Sequence, residues 1–368
     1  MKLLGVALAL CFAATGVRGQ ADFIALRAVH LDGAGGSART APIIHAQAQR
    51  SGSLFGLPLR AGGAVWLDLK DPESSLLNID ELTLSREWDR AVLRFGIGDV
   101  PWGISDIRSP IDVLTPRAAL WNSWDGPRLG QPLAGLTLFG GGGTLEVVAV
   151  PFSRPAHLGG YSWSTWSGLS SESGDWDDRF TGGVRMTRTF GPADLAISYI
   201  DGWDRRLGTQ QGSSTEAVVD HPRIRQLGFE LEWAFQTPVS LRSEGVVSRS
   251  DGVWGGQILA GVEWSPTPYL SLLGEQSLST RRADARSPLE DDLLLSARVL
   301  TEDLRLQGRL FLDPRSWNRN YSIALRWNVG ELTSLELELI GSGGDPLREP
   351  PLAFRQPGAI LVSLVRYF

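Results

Sequence analysis

Arginine and glutamate recur at alternate positions in several segments of this 368-residue chain. Arg94, Arg242, Arg298, Arg305, Arg309 and Arg326 stand against Glu230, Glu232, Glu244, Glu336 and Glu338. A period of two places such residues on one face of an extended strand, because successive side chains point to opposite sides. Charges of both signs on one wet face can pair across strands, or they can guide a charged solute. Arg305 and Arg309 share a face and Arg298 lies on the preceding segment, a grouping suited to an anion. A second charged group, Asp99, Asp106, Arg108, Asp112, Arg117, Asp125 and Arg128, lies within residues 99–131. A loop carrying both signs and folded into an opening would set a transverse field and select by size and charge; on the surface it would simply be solvated. Lys2 and Lys70 are the only lysines. Arginine gives planar, bidentate recognition of anionic groups, although genome composition accounts for the bias equally well.

Other chemistries find little support. His30, His45, His157 and His221 are dispersed, and Asp175, Asp177 and Asp178 read better as a solvated acidic loop tip than as a calcium site. Asp220-His221 is one acid beside one base, and no Gly-x-Ser-x-Gly elbow occurs. Gly140–Gly143 lacks the Lys-Ser/Thr of a phosphate loop and reads as a hairpin turn. The expectation is therefore no catalytic residue, no metal and no cofactor. The net charge of −6 excludes a general affinity for nucleic acid.

The elements that would carry these residues are strands. Met1-Lys2 and the apolar run Leu3–Val17, followed by Arg18-Gly19-Gln20, describe a secretory signal peptide over 1–19, cleaved after Gly19. Its removal takes away Lys2 and Arg18 and no acid, which makes the charge more negative by two. Cys11 is the single cysteine, so the exported part has no disulfide framework. Beyond it, apolar residues alternate: Leu93, Phe95 and Ile97; Phe229, Leu231 and Trp233; Leu304, Leu306, Leu310 and Leu312; Tyr321, Ile323, Leu325 and Trp327; Leu335, Leu337 and Leu339. Alternation alone fits a soluble sandwich or a membrane barrel. Strands of about nine to eleven residues fit the barrel, since they cross a bilayer when tilted, whereas soluble strands are mostly about five or six.

Short turns at Glu87–Asp89, Gly140–Gly143, Gly191–Pro192, Gln236–Pro238, Ser265–Thr267, Thr301–Glu302 and Asn328–Gly330 alternate with longer loops near 99–131, 152–179, 203–223, 279–289 and 342–357. That is the pattern of short periplasmic turns and long outer loops. It gives an all-β, transmembrane, antiparallel up-and-down barrel over 20–368. Sixteen strands follow from 61–70 onward, and eighteen if 22–29 and 41–50 also pair. An even count keeps both termini on the periplasmic side. Apolar runs elsewhere are short; the longest is Ala359–Val365.

Residues 95–117 resemble a stretch found in several large proteobacterial barrel families, including uncharacterised porin-like proteins. A strand there ends in Gly-x-x-x-Trp-Gly and a loop follows with Pro-x-Asp-x-x-x-Pro. The matching positions are Gly98, Trp102, Gly103, Pro110, Asp112 and Pro116. Val148–Pro155 is similar to the next strand end in the same proteins. The terminal Phe368 resembles the signal read by the outer-membrane barrel-assembly machinery, with Arg366 where an apolar residue is usual. The resemblance, good over about a quarter of the chain, implies a Gram-negative outer-membrane location and a porin-like superfamily that includes nutrient porins and polysaccharide exporters. Three functions are compatible with it. The first is a passive channel for small polar or charged solutes, narrowed by loop 99–131. The second is an export or assembly barrel for a surface polysaccharide. The third is a non-conducting surface barrel. Trp102 suits a membrane interface. Trp163, Trp166 and Trp176, clustered in one loop, could stack on a sugar ring.

Overall fold

The chain is described by a computed structural model. It describes all residues except 1–17, 20–21, 32–38, 73–74, 106–108, 119–125, 153–179, 206–208, 212–216, 220–221, 251, 281–290, 315–316 and 344–357. Eighteen strands close an antiparallel barrel. The first six are β1 (Phe23–Leu31), β2 (Arg39–Leu54), β3 (Leu57–Asp68), β4 (Leu76–Trp88), β5 (Ala91–Gly98) and β6 (Gln131–Gly140). Then come β7 (Gly143–Val150), β8 (Thr181–Phe190), β9 (Ala193–Trp203), β10 (Arg223–Ala234), β11 (Val239–Ser250) and β12 (Val253–Thr267). The circuit ends with β13 (Leu270–Ser279), β14 (Leu293–Leu300), β15 (Leu304–Leu312), β16 (Arg319–Gly330), β17 (Thr333–Gly343) and β18 (Ala359–Tyr367). Each strand pairs with its neighbours in sequence, and β18 returns to β1 with Phe23 opposite Tyr367 and Leu31 opposite Ala359. Eighteen is the larger of the two expected counts. Segments 22–29 and 41–50 do pair, within β1 and β2. Most of the expected signal segment lies outside the described residues. Arg18–Gly19 form a short strand on the edge of β2, opposite Ser51 and Arg50.

The period-two pattern partitions the residues between two surfaces. Across β9, β10, β11 and β12, the outward positions form cross-strand rows. One is Tyr199, Leu227, Val247 and Gly256; the next is Ile197, Phe229, Gly245 and Ile258. The large side chains of these rows are exposed, Ile197 by 62%, as suits a surface meant for hydrocarbon. Trp233 and Trp264 end this band at the turn end, where aromatic rings favour the membrane–water boundary.

Two local expectations change. The strands run from 8 to 16 residues, longer at the extreme than the periodicity suggested. The alternation of short turns and long loops also breaks, because β11 and β12 are joined at the loop end by only residues 251–252. Gly252 makes that reversal possible with φ of 87°, a backbone region glycine enters without steric cost. The turns expected at Ser265–Thr267 and Asn328–Gly330 fall slightly later, at 268–269 and 331–332.

The inner wall departs from a simple apolar-out, polar-in rule. Val29, Ile43, Trp66, Leu76, Phe311, Ile340 and Leu361 are buried in one cluster, which also holds Ala118 and Leu129 from the segment after β5. The apolar run Ala359–Val365 reflects this. Its outward residues Ile360, Val362 and Leu364 are exposed, while Ala359, Leu361 and Val365 are buried on the other side. Leu361→Ala should therefore cost about 2–5 kcal/mol, the usual range for opening a cavity in a packed core. Arg305→Ala, in the exposed part of the inner wall, should cost less than about 0.5 kcal/mol. Urea unfolding midpoints of the two variants in detergent micelles measure the difference.

Candidate functional site: the lumen and its inserted loop

β5 ends at Gly98, and the chain re-enters the barrel before β6 begins at Gln131. The turn is local: the Trp102 backbone N–H donates to the Val100 carbonyl at 2.9 Å. Gly103 follows with φ of 103°, and a Cβ at that position would collide with the Ser109 side chain. The two limbs of the loop then pair with each other. Ala118 N–H donates to the Pro127 carbonyl at 2.9 Å, Leu129 N–H to the Pro116 carbonyl at 2.8 Å, and Arg117 bridges Arg128.

One carboxylate fixes this loop to the wall. Glu244, fully buried on β11, accepts hydrogen bonds from the backbone N–H groups of Ile104 (2.6 Å) and Ser105 and from the Ser109 hydroxyl. A typical hydrogen bond adds about 0.5–1.5 kcal/mol net, so three on one group hold the loop firmly. Gln226 on β10 reaches the Ile111 carbonyl at 3.5 Å, and Gln131 reaches that of Leu114. The Arg205 N–H, just beyond β9, donates to the Val113 carbonyl at 2.9 Å. Apolar packing completes the seat: Val100, Trp102, Ile111, Val113 and Leu114 share a buried cluster with Leu133, Val148, Val150, Ile200, Ile224 and Val246.

Trp102 is not at a membrane interface. It is 3% exposed inside the barrel, in the space left by Gly183 of β8, where a Cβ would approach its ring to 2.7 Å. A tryptophan beside a strand end signals an interface only when the chain continues outward; here Gly103 turns it inward.

The described loop charges converge on Asp112. Arg128 donates to Asp112 at 2.9 Å, Arg117 lies 3.8 Å from the same carboxylate, and Arg128 also lies 3.7 Å from Asp99. Burial raises the Asp112 carboxyl above its ordinary range, and Arg128 and Arg117 act in the opposite direction. Asp106, Arg108 and Asp125 lie outside the described residues, as do His157, Trp163, Trp166, Asp175, Trp176, Asp177, Asp178, Asp220 and His221.

The wall charges fall into two arcs. On β7–β13 the inward carboxylates are Glu146, Asp194, Glu230, Glu232, Glu244, Glu263 and Glu275. Arg185 binds Glu230 with two parallel bonds of 2.8 and 2.7 Å and lies 3.6 Å from Glu146. Arg242 donates to Glu263 at 2.7 Å and to the Ile104 carbonyl at 3.3 Å, and lies 3.6 Å from Glu275. On β14–β18 and β1 the inward cations dominate: Arg298, Arg305, Arg309, Arg326 and Arg27. Arg27 and Arg326 share Glu336 at 3.7 and 3.9 Å, and Arg326 also donates to the Tyr367 hydroxyl and lies over its ring. Arg305 stands directly opposite Arg326, and Glu338 is one inward position from Glu336. Arg94 on β5 reaches the Asp99 carbonyl at 3.3 Å.

The sequence reading singled out Arg242, Glu230 and Glu244 but not Arg185, Glu146, Glu263, Glu275 or Arg27. All five obey the same alternation. Arg185 lies two residues from Gly183, and Glu275 two from Leu273, so small or apolar neighbours obscured the polar face. Among the described residues no group of three potential metal-ligating side chains occurs.

No family model and no curated protein matches the chain. Among solved structures, OccAB1 of Acinetobacter baumannii is 7% identical with a TM-score of 0.57, covering 95% of this chain and 96% of that one. A mutant of Rh. blastica porin is 12% identical with a TM-score of 0.46, covering 95% of this chain and all of that one. The likeness to OccAB1 is one of fold.

Glu244→Leu removes the acceptor of three loop donors, and Gly103→Ala forces the Ser109 contact apart. Either substitution should release the loop and leave the barrel folded. Trypsin cleavage at Arg108 and Arg117 should accelerate at least about tenfold, corresponding to about 1.4 kcal/mol of lost anchoring. Unchanged cleavage in both variants would show that Glu244 does not hold the loop.

Proposed function

We propose that the chain is an outer-membrane channel of porin type, passing small polar or charged solutes through a lumen narrowed by loop 99–131. The observation that carries this reading is the inserted loop itself. It is tied to β11 by Glu244 and lies between two arcs of opposite character. A loop that only covered the barrel mouth would not need a buried carboxylate on the inner wall to hold it.

The charge balance supports a finer reading, a preference for anionic solutes. The acidic arc is largely compensated: Glu230 by Arg185, Glu263 and Glu275 by Arg242, and Glu244 by loop N–H groups. The basic arc has fewer carboxylates, and Arg27 and Arg326 divide one of them. Guanidinium groups recognise carboxylate, phosphate or sulfate through paired donors, and several along a wall would offer an anion successive weak sites, which conduction requires.

Planar-bilayer recording tests both levels. The purified protein should form open channels whose reversal potential in a KCl gradient indicates anion preference. Arg305→Gln with Arg309→Gln should move that potential toward cation selectivity, and shortening the loop between Ile104 and Arg128 should raise unitary conductance severalfold. Absence of any pore at any voltage would reject the channel. Unchanged conductance after loop shortening would reject the constriction.

A further inference from the structure

The outer surface carries one polar row where the apolar pattern stops. Asp201 on β9, Arg225 on β10, Arg249 on β11 and Trp254 on β12 are consecutive cross-strand partners, and Trp203 stands opposite Arg223 one step nearer the loops. They continue the outward register of Tyr199, Leu227 and Val247, so these guanidinium groups point away from the lumen. Eight residues of β10 separate Arg225 from Trp233 at the far boundary. At about 3.4 Å per residue that is about 27 Å along the strand, or about 20 Å of height for strands tilted about 40°. The row therefore sits at the rim of the hydrocarbon band, the depth of lipid headgroups.

Its charges do not balance internally. Asp201 accepts from both Arg223 (3.2 Å) and Arg225 (3.1 Å). Arg249 donates to the Gly252 carbonyl at 3.4 Å, and among the described residues no acid pairs with it. Two guanidinium groups share the Asp201 carboxylate, and Arg249 is a direct cross-strand neighbour of Arg225, an arrangement that is unfavourable for like charges. The arginine side chains are nevertheless exposed, those of Arg223 and Arg225 by 58–61%. An anion between the strands would reverse the sign of that interaction, since each guanidinium can offer parallel N–H donors to phosphate oxygens. Trp203 and Trp254 suit the same boundary by placing an amphipathic ring at headgroup depth.

We infer that Arg223, Arg225 and Arg249 form a binding site on the outer face of the barrel for a phosphate monoester, as carried by a lipid headgroup. This site is separate from the lumen and does not depend on what the lumen conducts.

Native mass spectrometry of the full barrel in detergent tests it, with phosphatidic acid as probe and diacylglycerol of the same chains as control. The wild type should retain phosphatidic acid at least tenfold over diacylglycerol. R225Q/R249Q should lose that preference, and R249Q alone, which leaves the Asp201 pairs intact, should reduce it. R188Q, at an exposed arginine near the turn end of β8, should keep it. Competition by millimolar inorganic phosphate would support recognition of the phosphate group alone; absence of competition would support recognition of the lipid-borne headgroup. Equal retention of the two lipids by the wild type, or an undiminished preference in a folded R225Q/R249Q barrel, would overturn the proposal.

Discussion

Backbone pairing is the constraint on which everything else here rests. In hydrocarbon an unpaired N–H or C=O costs several kcal/mol, so strands can span a membrane only when the sheet has no edge. The nine cross-strand positions shared by β1 and β18 remove that edge. Once the ladder closes, every side chain is assigned a surface by parity. A residue such as Phe229 faces outward because Gly228 and Glu230 on either side of it face the interior.

Closure also makes neighbours of residues far apart in sequence. Arg27 and Glu336 are brought together because β1 joins the circuit beside β18. Glu244 can hold Ile104 and Ser105, about 140 residues earlier, because β11 faces the end of β5 across the interior. A buried carboxylate is expensive unless its lone pairs are satisfied. Three donors from one loop satisfy Glu244 and exclude most alternative loop positions together, so the same contact stabilises the buried carboxyl group and fixes the loop. The apolar patch formed by Leu361, Phe311 and Trp66 on the opposite side adds undirected burial through Ala118 and Leu129.

The fold was largely legible because period-two alternation is a local property and survives in single segments such as Leu304–Leu312. Eighteen strands instead of sixteen turned on β1 and β2. There Ala25, Val29, Ala41 and Ile43 are apolar on the buried inner side as well, which weakens alternation. The lumen face of Arg242, Arg298, Arg305 and Arg326 was readable for the same reason that the strands were. The role of Glu244 was not. Parity tells which surface a glutamate faces, but what it meets there is set by a loop whose path depends on Gly103 and on the space left by Gly183. Trp102 was misplaced on the same account: its residue type matches an interface, and only the backbone φ of the next residue sends it inward.

Arginine's role in this barrel depends on the surroundings that parity gives it. Inside, Arg185 and Arg242 pair with neighbouring carboxylates, and these pairs organise the wall. Arg305 faces the same interior directly opposite Arg326, and among the described residues no ion pair joins it to an acid. Outside, Arg225 and Arg249 stand on adjacent strands at the end of the exposed apolar band, where a lower dielectric would strengthen the repulsion between them. The same side chain is thus a tie between wall strands, an inward cation beside another, or an outward cation beside another, according to the strand face and the acids within reach. The sequence lists the arginines; the closed sheet decides which of these each becomes.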